Sequence, residues 1–467
     1  MKLKTHIFTR AAMLPVNGCG SALVCSLLVV LGCSATSGEE NPSSELVPLT
    51  IGTTGRYLAD RNNRPFLVVG DTAWSLIAQV KEQDIERYLE DRQKRGFNSI
   101  IVNLIEHKFC DSPPRTRAGL APFSKPGDFS TPNRKYFDFA ANVIEKANRQ
   151  GIVVWLFPAY LGFGGDDEGF FREIKAGGKE KLRSYGAFVG QRFRSVPNIV
   201  WVLGGDYTPE VVDQWTITEL GRAIHQADTN HLMTIHTAPE MTAAAVFGAQ
   251  DWLTVNTVYS YNRSLVGPVL AEYARRPARP FVLIESTYEG EHNSTPEQIR
   301  RQAYWTILGG GGGQFFGNNP IWHFDGPGLF PADQTWIQAL DAQGSRDMSR
   351  LRAFFLGLPW HELRPEEDHA VITDGYGQDT SACLTALTAD HRLAVTYVPS
   401  ERAEPRSLTV NVGNFPRSII ARWHNPATGT FSAADGSPWA NRGLRTCQTP
   451  RDNDNRASDW LLVLDAR

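Results

Sequence analysis

Residues 198–206, Asn-Ile-Val-Trp-Val-Leu-Gly-Gly-Asp, are the most informative stretch of the sequence about the fold. Its apolar run, residues 199–203, is typical of a strand that is buried on both faces, as in a parallel sheet. Two glycines end the run and permit a sharp turn or the close approach of a ligand, and Asp206 follows them. Residues 280–285, Pro-Phe-Val-Leu-Ile-Glu, repeat the pattern and end in Glu285. The sequence therefore predicts two carboxylates at the carboxyl ends of two buried strands.

Apolar strands alternate with helices of about a dozen residues from residue 64 onward, which is the rhythm of a parallel α/β domain. Eight strands over about 290 residues favour a (β/α)8 TIM barrel. The alternative is an open doubly wound sheet, which usually has a Gly-rich phosphate loop after its first strand, and Gly70-Asp71-Thr72 is not such a loop. The predicted strands are 65–70, 98–105, 152–157, 199–203, 232–236, 252–259, 281–285 and 309–316.

Three predicted helices have the same start signal, a capping threonine followed by a proline at the first helical position. These starts are Thr131-Pro132, Thr208-Pro209 and Thr295-Pro296. The predicted helices extend to Gly151, to about residue 226 and to residue 308.

The sequence pattern changes after Pro359. Short alternating strands are separated by turn residues, and no convincing helix occurs, so this segment predicts a small antiparallel β-sandwich. We therefore divide the chain into a signal peptide at 1–33, a polar tether at 34–45, the barrel at 46–360 and the C-terminal β-sandwich at 361–467. The sandwich is expected to pack on the barrel without supplying catalytic groups.

The bulk composition limits the class of protein. A chain of 467 residues exceeds what one core usually accommodates, so two domains are expected. The net charge is −3 with acids and bases interspersed, which predicts neither nucleic acid nor an anionic membrane as a partner. The chain is rich in aromatic residues, with 12 Trp, 13 Tyr and 24 Phe, of which most belong to the core and some could stack on sugars.

The N-terminus predicts export. Basic residues precede the apolar run 22–31, which is too short to span a membrane and fits the apolar part of a signal peptide. The run ends in Leu31-Gly32-Cys33, which resembles the bacterial lipobox, in which the cysteine is lipidated. A lipid on Cys33 would be the only contact with a membrane, and the protein would be anchored in the bacterial cell envelope. The alternative is an ordinary secretory signal with an incidental cysteine.

Three cysteines lie outside the predicted signal peptide: Cys110, Cys383 and Cys447. An odd number in an oxidising compartment leaves at least one unpaired, and whether Cys383 pairs with Cys447 stays open. Zinc is not indicated, because the sequence has no CxxC and no Cys/His ligand spacing.

Hydrolysis of a glycosidic bond needs one carboxylic acid to protonate the leaving oxygen and one carboxylate to attack or to activate water. Strands four and seven of a barrel face each other across its mouth, so Asp206 and Glu285 could converge there. The competing interpretation makes both residues helix caps or members of ion pairs. Asp71, after strand one, could bind sugar hydroxyls or cap the next helix, and Glu106 follows strand two. The other acids near strand ends are predicted to be solvated loop residues: Glu289, Glu291 and residues 166–168.

Four histidines also fall at predicted mouth positions: His107, His236, His292 and His323. They raise the alternative of a metal-dependent amidohydrolase, but the sequence has neither His-x-His nor HExxH. No metal or other cofactor is therefore expected, and the histidines read as substrate hydrogen-bonders or structural residues. A sugar platform could be formed by Tyr160, Tyr259, Tyr261, Tyr288 and Trp322, for each of which core packing is the alternative.

Several motifs together resemble the apiosidase-like barrel glycosidases over about residues 46–360. They are Gly70-Asp71-Thr72-Ala73-Trp74, Arg95-Gly96-Phe97-Asn98, Trp-x-x-Gly-Gly-Asp at 201–206 and Asn318-x-x-Ile321-Trp322. The resemblance implies a retaining, exo-type hydrolase of plant cell-wall polysaccharide, with Asp206 as acid/base and Glu285 as nucleophile. The best-known activity of the family is release of apiose from a pectic side chain. The C-terminal segment is similar to a β-domain appended to such barrels and labelled as collagen-binding, but no residue pattern in it predicts collagen binding.

The predicted site combines the two catalytic acids with substrate-binding residues, and its partner is an oligo- or polysaccharide. A non-catalytic carbohydrate-binding or adhesion lipoprotein on a decayed barrel is the second hypothesis, which the retention of both acids disfavours. Neither the sugar nor the oligomeric state follows from the sequence. The predicted substrate-binding residues are Asp71, Trp74, Glu106, His107, His236, Tyr259, Tyr288 and Trp322.

Overall fold

The computed structural model describes residues 47–399, 405–453 and 457–467. The predicted signal peptide, the predicted lipidation site at Cys33 and the predicted tether at 34–45 lie outside these residues. Within the described ranges, none of the helices is both long and apolar enough to cross a membrane.

The first part of the chain is a nearly closed parallel barrel, as the alternation of strands and helices predicts. With the eight parallel strands counted in chain order, the hydrogen-bonded order is five-four-three-two-one-eight-seven-six, so the gap lies between the fifth and the sixth. A two-residue strand, Met241–Thr242, pairs antiparallel with the sixth. All eight strands are buried along their length, which explains the continuous apolar runs of the third and fourth. Their bounds are β1 Val68–Thr72, β2 Ser99–Asn103, β3 Val153–Phe157, β4 Ile199–Gly204, β5 Met233–His236, β6 Asn256–Tyr259, β7 Phe281–Glu285 and β8 Gly313–Phe316.

The first strand differs from its prediction, and the difference affects the site. Residues predicted as one strand at 65–70 divide into Pro65–Phe66, which joins a small antiparallel sheet with Thr50–Ile51 and Leu58–Ala59, and β1, which continues to Thr72. Asp71 is therefore inside a buried strand and not in the loop after it.

Helices cover the outside of the barrel, and one of the three predicted start signals is correct. Thr295 caps its helix by accepting a hydrogen bond from the N–H of Gln298, with Pro296 at the first position. The other two helices begin later, after Asn133 and Gln214. The helices are Leu76–Gln79, Glu82–Lys94, Arg134–Arg149, Phe171–Phe193, Trp215–Ala227, Ala243–Phe247, Val266–Ala274, Pro296–Leu308, Trp336–Ala339 and Gln343–Leu356.

Two antiparallel sheets form the C-terminal part, which confirms the predicted β-sandwich. A shared apolar core lies between them. Cys447 is a buried free thiol, so no disulfide joins it to Cys383. In order across each sheet, the six-stranded one contains Arg364–Glu366, Leu384–Leu387, Leu393–Val398, Trp460–Asp465, Ile420–His424 and Phe431–Ala433, and the three-stranded one contains Ile372–Asp374, Ser407–Asn411 and Leu444–Gln448.

The helix Pro296–Leu308 joins the two parts of the chain. Its Arg300 is fully buried and donates two hydrogen bonds to Asp459, directly before the last strand, at 2.9 and 2.7 Å, and one to Asp347 at 2.9 Å. Tyr304, on the same helix, stacks on Tyr397 of the sandwich with ring centroids 5.2 Å apart. Since a buried cation keeps its charge only when it is paired, these contacts hold the sandwich firmly against the barrel.

A buried histidine at this junction makes stability depend on pH. His424 is 2% exposed and lies between Phe354 and Phe431, at 4.5 and 4.6 Å between ring centroids. Within the described residues neither ring nitrogen has a hydrogen-bond partner. Burial lowers the pKa of His424 to about 4.

We expect His424→Phe to flatten part of the pH dependence of folding. The unfolded chain takes up a proton at His424 as the pH falls through about 6.5, whereas the folded chain does so only near pH 4. Wild-type stability is therefore lost as the pH falls through this window. When the pH is lowered from 7 to 5, the free energy of unfolding of the variant should increase by about 2 kcal/mol relative to that of wild type. Denaturant unfolding of both proteins at the two pH values measures this, and a pH-independent difference would contradict it.

Candidate active site

A sharp turn at the end of β4 presents the carboxylate of Asp206. Gly204, Gly205 and Asp206 all have positive φ, at 78°, 117° and 52°, a region that glycine enters at little cost and aspartate tolerates. A Cβ atom on Gly205 would lie 2.2 Å from the ring of Tyr160. That ring packs here because the glycine leaves room, and its hydroxyl donates a hydrogen bond to Asp206 Oδ2 at 2.5 Å. The turn therefore fixes where the acid lies.

Glu285 is the last residue of β7, and two hydrogen bonds hold its carboxylate. His236 Nε2 lies 2.8 Å from Oε2, and the hydroxyl of Tyr261 donates to Oε1 at 3.0 Å. The N–H of Asp206 donates to the other ring nitrogen, Nδ1 of His236, at 3.1 Å. Since Nδ1 accepts, the proton of the neutral imidazole is on Nε2 and points to Glu285. His236 thus positions both acids.

The two acids converge, as their places at the ends of β4 and β7 predict. One carboxylate oxygen of Asp206, one of Glu285 and one ring nitrogen of His236 all lie within 4.8 Å of one another. A cluster of this composition could hold a metal ion. However, both nitrogens of His236 are engaged in hydrogen bonds inside the cluster, and these bonds account for the arrangement.

Burial and charge change the acidity of the site. Burial raises the pKa of Glu285, and the negative charge of Asp206 raises it further, whereas the hydrogen bonds from His236 and Tyr261 act in the opposite direction. Burial, together with Asp206, also raises the pKa of Tyr160 well above 10, so its hydroxyl stays protonated and remains a donor. A like charge this close disfavours ionisation, which is why Asp206 contributes to the raised pKa of Glu285.

The acids lie in a cavity of about 1130 Å³ at the carboxyl ends of the strands. Aromatic rings offer the apolar faces on which sugar rings stack, and the acids and amides match sugar hydroxyls. The aromatic residues of the lining are Trp74, Phe109, Tyr160, Phe163, Tyr259, Tyr261, Tyr288, Trp322 and Phe330.

Four of the predicted substrate-binding residues line this cavity: Trp74, Tyr259, Tyr288 and Trp322. Trp74 Nε1 donates to the hydroxyl of Tyr288 at 2.9 Å, so these two side chains fix each other. His236 lies behind them, with the ring of Tyr259 at 4.6 Å and that of Trp74 at 5.8 Å between centroids. The structure therefore brings five of the eight predicted residues together around the acids.

The prediction for Asp71 is wrong. Its side chain is fully buried outside the cavity, where Tyr88 donates to Oδ2 at 2.8 Å and Arg92 at 3.3 Å. Neither sugar binding nor helix capping is its role. It anchors the helix Glu82–Lys94 to β1, because β1 extends two residues beyond its predicted end.

Glu106 and His107 also lie outside the cavity, contrary to their prediction as substrate-binding residues. Glu106 is 1% exposed, and its Oε1 accepts hydrogen bonds from three consecutive N–H groups, those of His107, Lys108 and Phe109. His107 bonds to Glu173 at 3.0 Å. Both residues shape the loop after β2, and the carboxyl end of β2 contributes Asn103 to the cavity instead.

Of two acids predicted to be solvated loop residues, Glu291 is buried and Glu289 is partly buried. Glu291 lines the cavity, is 8% exposed and accepts a hydrogen bond from Trp322 Nε1 at 2.9 Å. Burial raises its pKa to about 7. Glu289 accepts hydrogen bonds from the N–H of Gly344 and from Asn318, both at 2.9 Å. Of the acids at 166–168, Asp166 and Asp167 are exposed as expected, and Glu168 lines the cavity.

Of the two remaining histidines predicted at the mouth of the barrel, one lines the cavity and the other does not. His292 lines the cavity and packs on Phe330, at 4.6 Å between ring centroids. His323 is buried and bonds to Asn319 Oδ1 at 2.8 Å. Residues that sequence reasoning did not single out also line the cavity, among them Asn103, Phe163, Arg263, Leu329 and Thr380.

Two family models match the chain. The one described as "Apiosidase-like, catalytic domain" matches residues 52–362, which contain the barrel and both acids. The one described as "Putative collagen-binding domain of a collagenase" matches residues 367–465. No curated protein matches the sequence.

Solved glycoside hydrolases share the fold. One, described as "Glycoside hydrolase", is 24% identical with a TM-score of 0.76, and the match covers 89% of this chain and 96% of that one. A family 5 glycoside hydrolase from Bacteroides vulgatus is 22% identical with a TM-score of 0.76, over 91% and 94% of the two chains. A family 5 mannosidase from Rhizomucor miehei is 13% identical with a TM-score of 0.50, over 66% and 98%.

Proposed function

This chain belongs to the apiosidase-like family and is a glycoside hydrolase, and from that premise we propose that it is a retaining enzyme acting on plant cell-wall glycans, pectic or related. The observation that carries the retaining mechanism is the separation of the acids. One carboxylate oxygen of each acid lies no more than 4.8 Å from the other, a limit that fits the short spacing of about 5–5.5 Å between carboxyl groups in retaining enzymes. Inverting enzymes need about 6.5–9.5 Å to admit a water molecule.

Glu285 acts as the nucleophile in this proposal. Its carboxylate attacks the anomeric carbon, the bond from that carbon to the leaving oxygen breaks, and a glycosyl ester forms. The donors His236 and Tyr261 stabilise the ionised form before the attack. Burial is the main cause of the raised pKa of Glu285, and the charge of Asp206 adds to it; a proton on Asp206 removes the second of these two effects.

Asp206 acts as the acid and then as the base. Oδ2 accepts from Tyr160, whereas Oδ1 is buried and has no hydrogen-bond partner among the described residues. We assign to Oδ1 the proton that passes to the leaving oxygen. In the second half-reaction the same carboxylate takes a proton from water, which attacks the anomeric carbon and releases Glu285.

The experiment that tests the substrate is a panel of pectic and hemicellulosic oligosaccharides. Purified protein should release a monosaccharide from at least one of them, and chromatography against standards identifies the sugar. NMR of the first product should show the anomeric configuration of the substrate. Release of no sugar from any member, or an inverted first product, contradicts the proposal.

Glu291 is expected to accept hydrogen bonds from hydroxyls of the bound sugar. Glu291→Gln keeps the size of the side chain and removes the charge, which should lower kcat/KM about 10- to 100-fold, as for a lost hydrogen bond to a charged group. Since the pKa of Glu291 is about 7, wild-type kcat/KM should rise as the pH rises through 7. The variant should lack that rise.

The matched control is Glu289→Gln. Glu289 supports the loop through Gly344 but does not line the cavity. This variant should lower the free energy of unfolding and leave kcat/KM and its pH profile unchanged. Equal pH profiles in wild type and Glu291→Gln would refute the role of Glu291.

Export with a lipid on Cys33 is also part of the proposal. It is supported by the apolar run 22–31 and the Leu31-Gly32-Cys33 motif at its end. Incorporation of a radiolabelled fatty acid in a bacterial host tests it, and a mature protein without acyl label contradicts it.

A further inference from the structure

The cavity wall is not made by the barrel alone. Thr380, in the short helical turn Asp379–Ser381 of the C-terminal part, lines the cavity together with Gln298 and Arg301 of the barrel helix Pro296–Leu308. Thr380 is half-buried. The C-terminal part thus contributes a polar side chain to the same cavity as the two acids.

The turn that carries Thr380 is rigidly held within the sandwich. Arg406 donates to the carbonyl oxygens of Ser381 at 2.7 Å and of Gly375 at 2.8 Å. The N–H of Gln378 donates to the hydroxyl of Ser381 at 3.0 Å. Asp379 has a φ of 49°, a left-handed conformation that aspartate tolerates and that suits a tight turn.

The same turn is also fixed to the barrel. Trp305 Nε1 donates to the carbonyl oxygen of Ala382 at 3.0 Å, directly after the turn. The guanidinium of Arg301 lies 5.3 Å from the Trp305 ring and bonds to both oxygens of Glu297, at 3.1 and 2.8 Å. Because Glu297 and Arg301 line the cavity, the barrel helix and the turn form one continuous polar wall.

We propose that this turn is a carbohydrate-binding element of the active-site cleft, so that the C-terminal domain binds a sugar unit beyond the one that is released. The inference rests on the proposed function. The cavity, at about 1130 Å³, exceeds the usual 300–1,000 Å³ of a small-molecule pocket and has room for several sugar units. The hydroxyl of Thr380, the amide of Gln298 and the guanidinium of Arg301 supply donors and acceptors for sugar hydroxyls.

Two substitutions of Thr380 in the full chain test this inference. Thr380→Val removes only the hydroxyl, and Thr380→Met also fills the space beside it. The control is the same pair of substitutions at Thr446, an exposed residue of the strand Leu444–Gln448 that does not line the cavity. The substrates are an oligosaccharide that wild type cleaves and the 4-nitrophenyl glycoside of the sugar that it releases.

We expect KM for the oligosaccharide to rise 2- to 10-fold with Thr380→Val, because about one hydrogen bond to the substrate is lost. The rise should be larger with Thr380→Met, because its side chain also fills space that the substrate occupies. For the 4-nitrophenyl glycoside, both kcat and KM should be unchanged, because on this proposal its short leaving group does not reach the turn. The Thr446 variants should behave as wild type. Unchanged KM in both Thr380 variants overturns the inference, and so does an equal loss on both substrates, which indicates a structural effect.

Failure of the proposed function is a separate outcome. If wild type cleaves no oligosaccharide of the pectic and hemicellulosic panel, the glycosidase proposal for these glycans fails, and binding of the panel oligosaccharides, measured by titration calorimetry, then decides the inference. Weaker binding by the Thr380 variants than by the Thr446 variants supports it. Equal binding by both pairs, or no binding by wild type, overturns it.

Discussion

Glu285→Gln should abolish turnover, with kcat lower by at least about 10⁴-fold on every glycoside that the wild-type protein cleaves. An amide cannot form the glycosyl ester, and within the described part of the chain Glu285 is the acid that clusters with Asp206 and His236. The effect should not depend on the leaving group, because the attacking group itself is lost. Steady-state rates on the oligosaccharide and on the 4-nitrophenyl glycoside test both the size of the loss and its independence of the leaving group.

The loss in Glu285→Gln must be separated from a loss of folding. Glutamine has the size of glutamate and keeps one oxygen that can accept from His236 or Tyr261, so the free energy of unfolding should change little. A labelling experiment supplies independent evidence: a 2-fluoro derivative of the released sugar should attach covalently to Glu285 in wild type, and peptide mass spectrometry locates it. Residual turnover above about one part in a hundred, or a label on another residue, rules out Glu285 as the nucleophile.

The barrel and its two acids were predictable because both follow from local pattern. Strands buried on both faces have continuous apolar sequences, and the carboxyl ends of barrel strands are where sites lie. Asp206 and Glu285 each come at the end of such a run. The gap of two residues between the predicted and actual ends of β1 was enough to misplace Asp71, since element boundaries carry little signal of their own.

The rest of the cavity depends on contacts between distant parts of the chain. Glu289 and Glu291 have the sequence surroundings of solvated loop acids, yet the partner of Glu289 is the N–H of Gly344 and that of Glu291 is Trp322. Thr380 reaches the cavity only because Arg300 and Trp305 fix the sandwich on the barrel. No periodicity or spacing in the sequence reports such pairings, so these residues were not predictable from it.

Asp206→Asn should separate the two half-reactions. A natural glycoside needs a proton on its leaving oxygen, so its kcat should fall about 10²- to 10⁴-fold, the usual contribution of general acid catalysis. A 2,4-dinitrophenyl glycoside needs no such proton, so its ester with Glu285 should still form. That ester should then accumulate, because no base activates water, and KM should fall together with kcat.

Azide should restore turnover of the dinitrophenyl glycoside by Asp206→Asn, because this anion attacks the glycosyl ester without a base. Two successive displacements at the anomeric carbon give a glycosyl azide of retained configuration. Glu285→Ala is the matched control: azide in the space left by the side chain should attack the substrate directly and give the inverted azide. NMR of the two products distinguishes them. An inverted azide from Asp206→Asn, or wild-type rates without azide, would show that Asp206 is not the acid/base of a retaining enzyme.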